Sequence, residues 1–171
     1  VSHRGVTKKN FEMEKNLGGF WSRIFPQERS RDPFRLVYVG HPSKGREPAL
    51  GVLNVLRSID PRYHLRIFGD ERLWGGKAQK NVSSKGSKNF GMVNQRRLTR
   101  ELLQCSYAMF LQTRLEPYSN AMLEALSAGC IPIASLVGGF PEQVTDGWNG
   151  YLLDGSPDNP AVWNKAAHII H

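Results

Sequence analysis

The chain has 171 residues, 40% of them hydrophobic, and carries a formal net charge of +8, with a pI near 9.8 and a mean hydropathy of −0.43. That length holds one domain with a full core, and no apolar run approaches the roughly 18 residues that would span a bilayer. The Lys and Arg residues are scattered rather than striped, so the charge reads as a basic surface and nucleic acid is not expected as a partner.

Cys105 and Cys130 are the two cysteines. They lack metal-ligand spacing and read as reduced core thiols of a cytoplasmic protein. No signal peptide is visible, and a first residue of Val rather than Met suggests a piece of a longer chain.

Residues Val1 to Pro33 mix charges of both signs with Phe11, Phe20, Trp21 and Phe25, without a sustained period. They are expected to form an entry segment or interdomain connection, with one short helix. A domain from 34 to 171 follows. Leu36 to Val39 is an apolar strand, ended by Gly40-His41-Pro42-Ser43-Lys44-Gly45. Leu50, Leu53, Val55 and Leu56 form the apolar side of a helix. Leu65 to Phe68 is the next strand. Lys77 to Asn89 is polar and basic and reads as a mobile surface loop. Phe90 to Val93 is extended, a helix covers the stretch from Gln95 to Cys105, and Tyr107 to Leu111 is a strand.

The stretch from Glu116 to Gly150 is the densest in signals. Ser119 suits an N-cap, the run to Ala128 has no interior Gly or Pro, and Gly129 suits the left-handed residue after a helix. Met122, Leu123 and Leu126 fall on one side of that helix, and Ala121, Ala125 and Ala128 on a second. Asn120 and Glu124 share the open border, and Glu116 adds a carboxylate before the helix. The strand Ile131 to Ser135, the turn Gly138-Gly139, a short helix at Pro141 to Val144, the strand Tyr151 to Leu153 and a helix Ala161 to Ile170 complete the chain.

Continuous apolar strands alternating with helices mean parallel strands buried on both faces, an α/β doubly wound, Rossmann-like sheet. Ligands in such sheets bind beyond the carboxyl ends of the strands. Three unusual loops meet there: Gly40 to Lys44, Glu116 to Asn120, and Gly138-Gly139. A helix N-terminus with its open N–H groups suits phosphate, and Lys44 and His41 add donors. Two carboxylates beside a phosphate site make sense as acceptors for sugar hydroxyls. Phosphate donors together with hydroxyl acceptors describe a sugar nucleotide. No G-x-G-x-x-G, Walker loop, D-x-D pair, His/Cys cluster or nucleophile elbow is present, and no metal ligands are assigned.

Glu116 to Glu124 spells E-x7-E, followed by A-L-S-A-G-C-I-P-I-A-S, V-G-G-F-P-E and D-G-W-N-G-Y-L-L. Together these resemble the C-terminal, donor-binding domain of retaining family-four glycosyltransferases, one half of a GT-B architecture, from Leu36 to His171. The resemblance implies a nucleotide diphosphate sugar as donor substrate, of unassigned base, and no further cofactor. Glu124 would accept from the ribose hydroxyls, and Glu116 would stand near the transferred sugar. Ser119, Asn120 and Ala121 would turn backbone N–H groups to the diphosphate, and Lys44 would neutralise it. Gly91, Met92 and Val93 would border the base, and Gly40 and His41 would shape the first loop. His41 stands where the family often has Arg, in a shorter loop, and Ser119 where Gly is commoner. The catalytic pair would be Glu116 and Lys44.

A missing N-terminal acceptor-binding domain, and peripheral membrane association of the full chain, are the partner expectations. A sugar-nucleotide epimerase or hydrolase of similar architecture is one alternative, and a non-catalytic anion-binding module another.

Overall fold

The computed structural model describes residues 31–77 and 84–171. The expected entry segment and its short helix, up to residue 30, lie outside the described residues.

Six parallel strands form one sheet: β1 (Asp32–Val39), β2 (His64–Phe68), β3 (Ser87–Gly91), β4 (Cys105–Phe110), β5 (Ile131–Ser135) and β6 (Tyr151–Leu153). Their spatial order is β3-β2-β1-β4-β5-β6, the doubly wound order of dinucleotide-binding sheets. The helices are α1 (Arg46–Ile59), α2 (Gln95–Leu102), α3 (Asn120–Ser127), α4 (Phe140–Gln143) and α5 (Pro160–Ile170).

Side chains alternate between two apolar layers, as strand pleating requires. Leu36, Tyr38, Leu65, Ile67, Met109 and Ile133 join Leu53, Leu56, Ala166 and Ile170 of α1 and α5 in one layer. Val37, Ala108, Phe110 and Ala134 join Leu98, Leu102, Met122 and Ala125 of α2 and α3 in the other. That two-sided burial is why the strands read as unbroken apolar runs.

Several boundaries differ from the expected ones, each for a local reason. β1 starts at Asp32, because its outer half is polar: the Asp32 carboxylate accepts from the Phe34 N–H at 2.9 Å and pairs with Arg35 at 3.4 Å. Ser87 to Asn89, assigned to a loop, belong to β3. This edge strand pairs only with β2, so it needs little apolar content. Residues 78–83 of that expected loop lie outside the described residues. Cys105 opens β4 rather than ending α2, which stops at Leu102.

In α3, Met122 and Ala125 are fully buried, whereas Leu123 and Leu126 are half-buried. The stripe facing the sheet is therefore Met122, Ala125 and Ala128, at helical spacing. Gly129 follows with φ +78°, the left-handed stop its position suggests. Pro132 cannot donate to a ladder; it pairs with Ala108 of β4 and stands one residue before β5 begins pairing with β6 at Ile133.

Candidate functional site

The strand order reverses between β1 and β4, and the loops leaving those two strands face each other across that point. Glycines bring the loops close. A Cβ on Gly45, whose φ is +116°, would lie 2.0 Å from the Leu111 carbonyl oxygen, so only glycine lets the first loop press against the end of β4. The contact aims Lys44 across the crevice, where its Nζ donates to Glu116 Oε1 at 2.9 Å. Glu116 Oε2 accepts from Gln112 Nε2 at 3.2 Å. Two residues expected at the site, 72 positions apart, thus meet in a half-buried ion pair. Gly40, at the end of β1, donates its N–H to the Phe68 carbonyl at 3.0 Å.

His41 is 8% exposed. Its Nδ1 accepts the Ser43 N–H at 3.2 Å, and its Nε2 lies 2.8 Å from Glu71 Oε2. A ring whose Nδ1 accepts a backbone N–H carries its proton on Nε2, here directed to Glu71. Trp74 stacks on the imidazole face at 3.8 Å between centroids, with 14° between planes. Both ring edges are thus engaged by protein groups, and His41 orders the loop from within. Glu71 and Trp74 belong to a 3-10 turn after β2 that no sequence motif marks, and Trp74 is 48% exposed.

The start of α3 is also fixed. The Ser119 hydroxyl accepts the Met122 N–H at 3.2 Å, as an N-cap does. Gln143 of α4 clasps the Ser119 backbone from both sides: its Oε1 accepts the Ser119 N–H at 3.1 Å, and its Nε2 donates to the Ser119 carbonyl at 3.0 Å. With the Ser119 amide taken, the amides of Asn120 and Ala121 at the helix start have no intrahelical acceptor. Gly138 and Gly139 serve the same end. A Cβ on Gly139 would meet the Pro117 carbonyl oxygen at 1.9 Å, and one on Gly138 the Glu116 carbonyl oxygen at 2.6 Å. The glycine turn therefore packs directly on the backbone carrying Glu116. No sequence signal marks Gln143, which is buried beside the exposed Glu142.

Glu124 lies one helical turn into α3 and is half-exposed; its Oε1 accepts from Gln95 Nε2 of α2 at 3.0 Å. Gly91 ends β3 with φ +61°, where a Cβ would come within 3.2 Å of Asp70 Oδ2. Met92 is exposed and Val93 half-buried behind it. Asp70 grips Arg72 through both carboxylate oxygens, at 3.0 and 2.6 Å, and the guanidinium holds its carboxyl below the usual range. Among the described residues, no cluster of three His, Cys, Asp or Glu side chains gathers as metal ligands would.

Residues 21–170 match the family described as glycosyl transferases group 1. No curated protein matches. Among solved structures, the pneumococcal O-GlcNAc transferase GtfA, in complex with UDP and GlcNAc, superposes with a TM-score of 0.66 at 20% identity, over 84% of this chain and 29% of that one. Anabaena HepE in complex with UDP-glucose gives 0.62 at 21% identity, over 93% and 41%. Sucrose-phosphate synthase from Thermosynechococcus elongatus gives 0.60 at 20%, over 80% and 35%. The chain thus spans well under half the length of each. At these identities the likeness speaks for the fold, whereas the family match runs through nearly all of the sequence. The chain belongs to the glycosyl transferases group 1, as a Rossmann-like domain of the GT-B kind.

Proposed function

We propose that this domain, covering 34–171, is the donor-binding half of a retaining glycosyltransferase that moves a sugar from a nucleotide diphosphate sugar to an acceptor. The observation that carries the reading is the Lys44–Glu116 pair at the reversal of strand order, beside the open amides of α3. In this reading the Asn120 and Ala121 amides and the partial positive charge of the helix start receive the diphosphate. Lys44 turns from Glu116 to the departing phosphate oxygens. Glu116 accepts from hydroxyls of the transferred sugar, and Glu124 from the ribose hydroxyls, steadied by Gln95. Gly91, Met92 and Val93 border the base. Ser119 and His41 act by holding their loops. Catalysis is then mostly positioning and electrostatic relief of the leaving group.

UDP is the first nucleotide to test, because the similar GtfA and HepE structures are complexes with UDP and with UDP-glucose. Calorimetric titration of the 171-residue chain with UDP, GDP and ADP, and with their sugars, should show millimolar or tighter binding of one nucleotide. Glu124→Ala should weaken that ligand about tenfold, the size expected for a lost charged hydrogen bond. Absence of binding at millimolar ligand sinks the proposal. The acceptor domain is taken to lie on another part of the full protein, so the chain alone should turn over little. Retention should appear in full-length enzyme as a first-formed product with the donor's anomeric configuration, read by proton NMR.

A further inference from the structure

We propose that Arg114 is the second cation of the diphosphate subsite, held there by Trp74; this rests on the donor-binding reading above. A nucleoside diphosphate brings at least two negative charges, and the groups nearest the crevice do not balance them. Lys44 is shared with Glu116 at 2.9 Å, and Glu71 adds a carboxylate against His41 at 2.8 Å. Of the cations on the loops at the carboxyl ends of β1, β2 and β4, Arg72 is taken by Asp70 at 2.6 Å and Arg46, at the start of α1, lies 3.4 Å from Glu47. Among the described residues, Lys77 and Arg114 make no ion pair and both are exposed, but of the two it is Arg114 that lies over an aromatic ring.

Its position is not arbitrary. The Arg114 guanidinium lies 4.9 Å from the centroid of the Trp74 ring, and Lys44 Nζ lies 5.5 Å from the same centroid. One face of that indole is stacked on His41. The indole thus gathers two cations from different loops, one after β1 and one after β4, at the point where the diphosphate is placed. Cation–π attraction holds a guanidinium in place without spending its hydrogen-bond donors, so Arg114 keeps its fork for phosphate oxygens. Its backbone is tied as well, since the Arg114 carbonyl accepts from Gln112 Nε2 at 3.3 Å, the same amide that holds Glu116. Arg114 is a binding residue here, and Trp74 a positioning residue.

The test compares UDP with uridine, which lacks the phosphates, by calorimetry on the 171-residue chain. Arg114→Gln should weaken UDP about tenfold and flatten its salt dependence, while uridine affinity stays within twofold of the parent chain. Arg114→Lys should recover part of the loss. Trp74→Leu should reproduce the Arg114→Gln loss, Trp74→Phe should not, and the Trp74→Leu, Arg114→Gln double variant should be no weaker than either single one. UDP affinity unchanged in Arg114→Gln overturns the inference while leaving the donor-binding reading intact. Equal weakening of UDP and uridine also overturns it, because the effect would then be on the fold. If the parent chain binds no nucleotide at all, both readings fall.

Discussion

Glu116 has both carboxylate oxygens occupied, one by Lys44 and one by Gln112, so it competes with any ligand for the same lysine. Glu116→Gln removes that competition without removing the side chain. It should tighten UDP binding about threefold by titration, since freeing one partly buried cation is worth somewhat under 1 kcal/mol, while lowering transfer by the full-length enzyme. Looser UDP binding in that variant would contradict the arrangement. The loop and helix positions of Glu116, Lys44, Ser119 and Glu124 were legible because each sits in a motif that states them. Trp74 and Glu71 were not, because they reach the crevice from β2 through contacts with His41, and nothing in their local sequence marks a partner 30 or more positions away. His41 was legible as a loop residue, but its engagement from both edges depends on that same unseen partner.

The loops are held by the elements behind them. Gln143 sits at the end of a four-residue helix, α4, and bonds both backbone groups of Ser119 where they are buried. Gln143→Leu leaves the buried Ser119 N–H without a partner, at a cost of about 1–3 kcal/mol, while the Ser119 carbonyl keeps the Leu123 N–H at 3.2 Å. A lower urea midpoint with unchanged slope is expected, together with weaker nucleotide binding. Gly139→Ala is expected to be worse, because its methyl group would overlap the Pro117 carbonyl and displace Glu116 with it. Chemical denaturation would register at least about 2 kcal/mol. At this scale the helices and central strands were readable from their apolar period and stop signals. The margins were not. The polar outer half of β1 and the edge strand β3 draw their pairing from neighbouring strands rather than from their own composition, and periodicity carries no record of that.

Across the whole molecule, the parallel sheet buries both faces, and its two thiols with them. Burial pushes Cys105 up to about 12 and Cys130 up to about 11, from an ordinary 9.0. The fold favours the neutral thiol, so this contribution to stability is complete below pH 9 and is lost as pH rises toward 11–12. Urea midpoints should fall over that alkaline window, and replacing both cysteines with Ala should remove part of the fall. Neither thiol should react with iodoacetamide at pH 8 until the chain unfolds. The described residues contain no helix long and apolar enough to cross a membrane. The doubly wound class was readable from continuous apolar strands alternating with helices. The strand order was not, since every parallel α/β sheet shares that rhythm and only the crossovers decide which strand lies beside which.

The packing of α5 on α1 has a consequence in time. Gly51 of α1 lies under the Trp163 ring, where a Cβ would come within 2.5 Å, and Val162, Ala166 and Ile170 complete the layer that α1 begins. One face of β1 is therefore sealed by residues made more than a hundred positions later. Until those residues emerge from the ribosome, Leu36, Leu53 and Ile133 share a wet, unfinished layer that invites chaperones and self-association. A chain stopped at Asn159 would prolong that vulnerable interval indefinitely, binding a hydrophobic dye and melting without a cooperative transition.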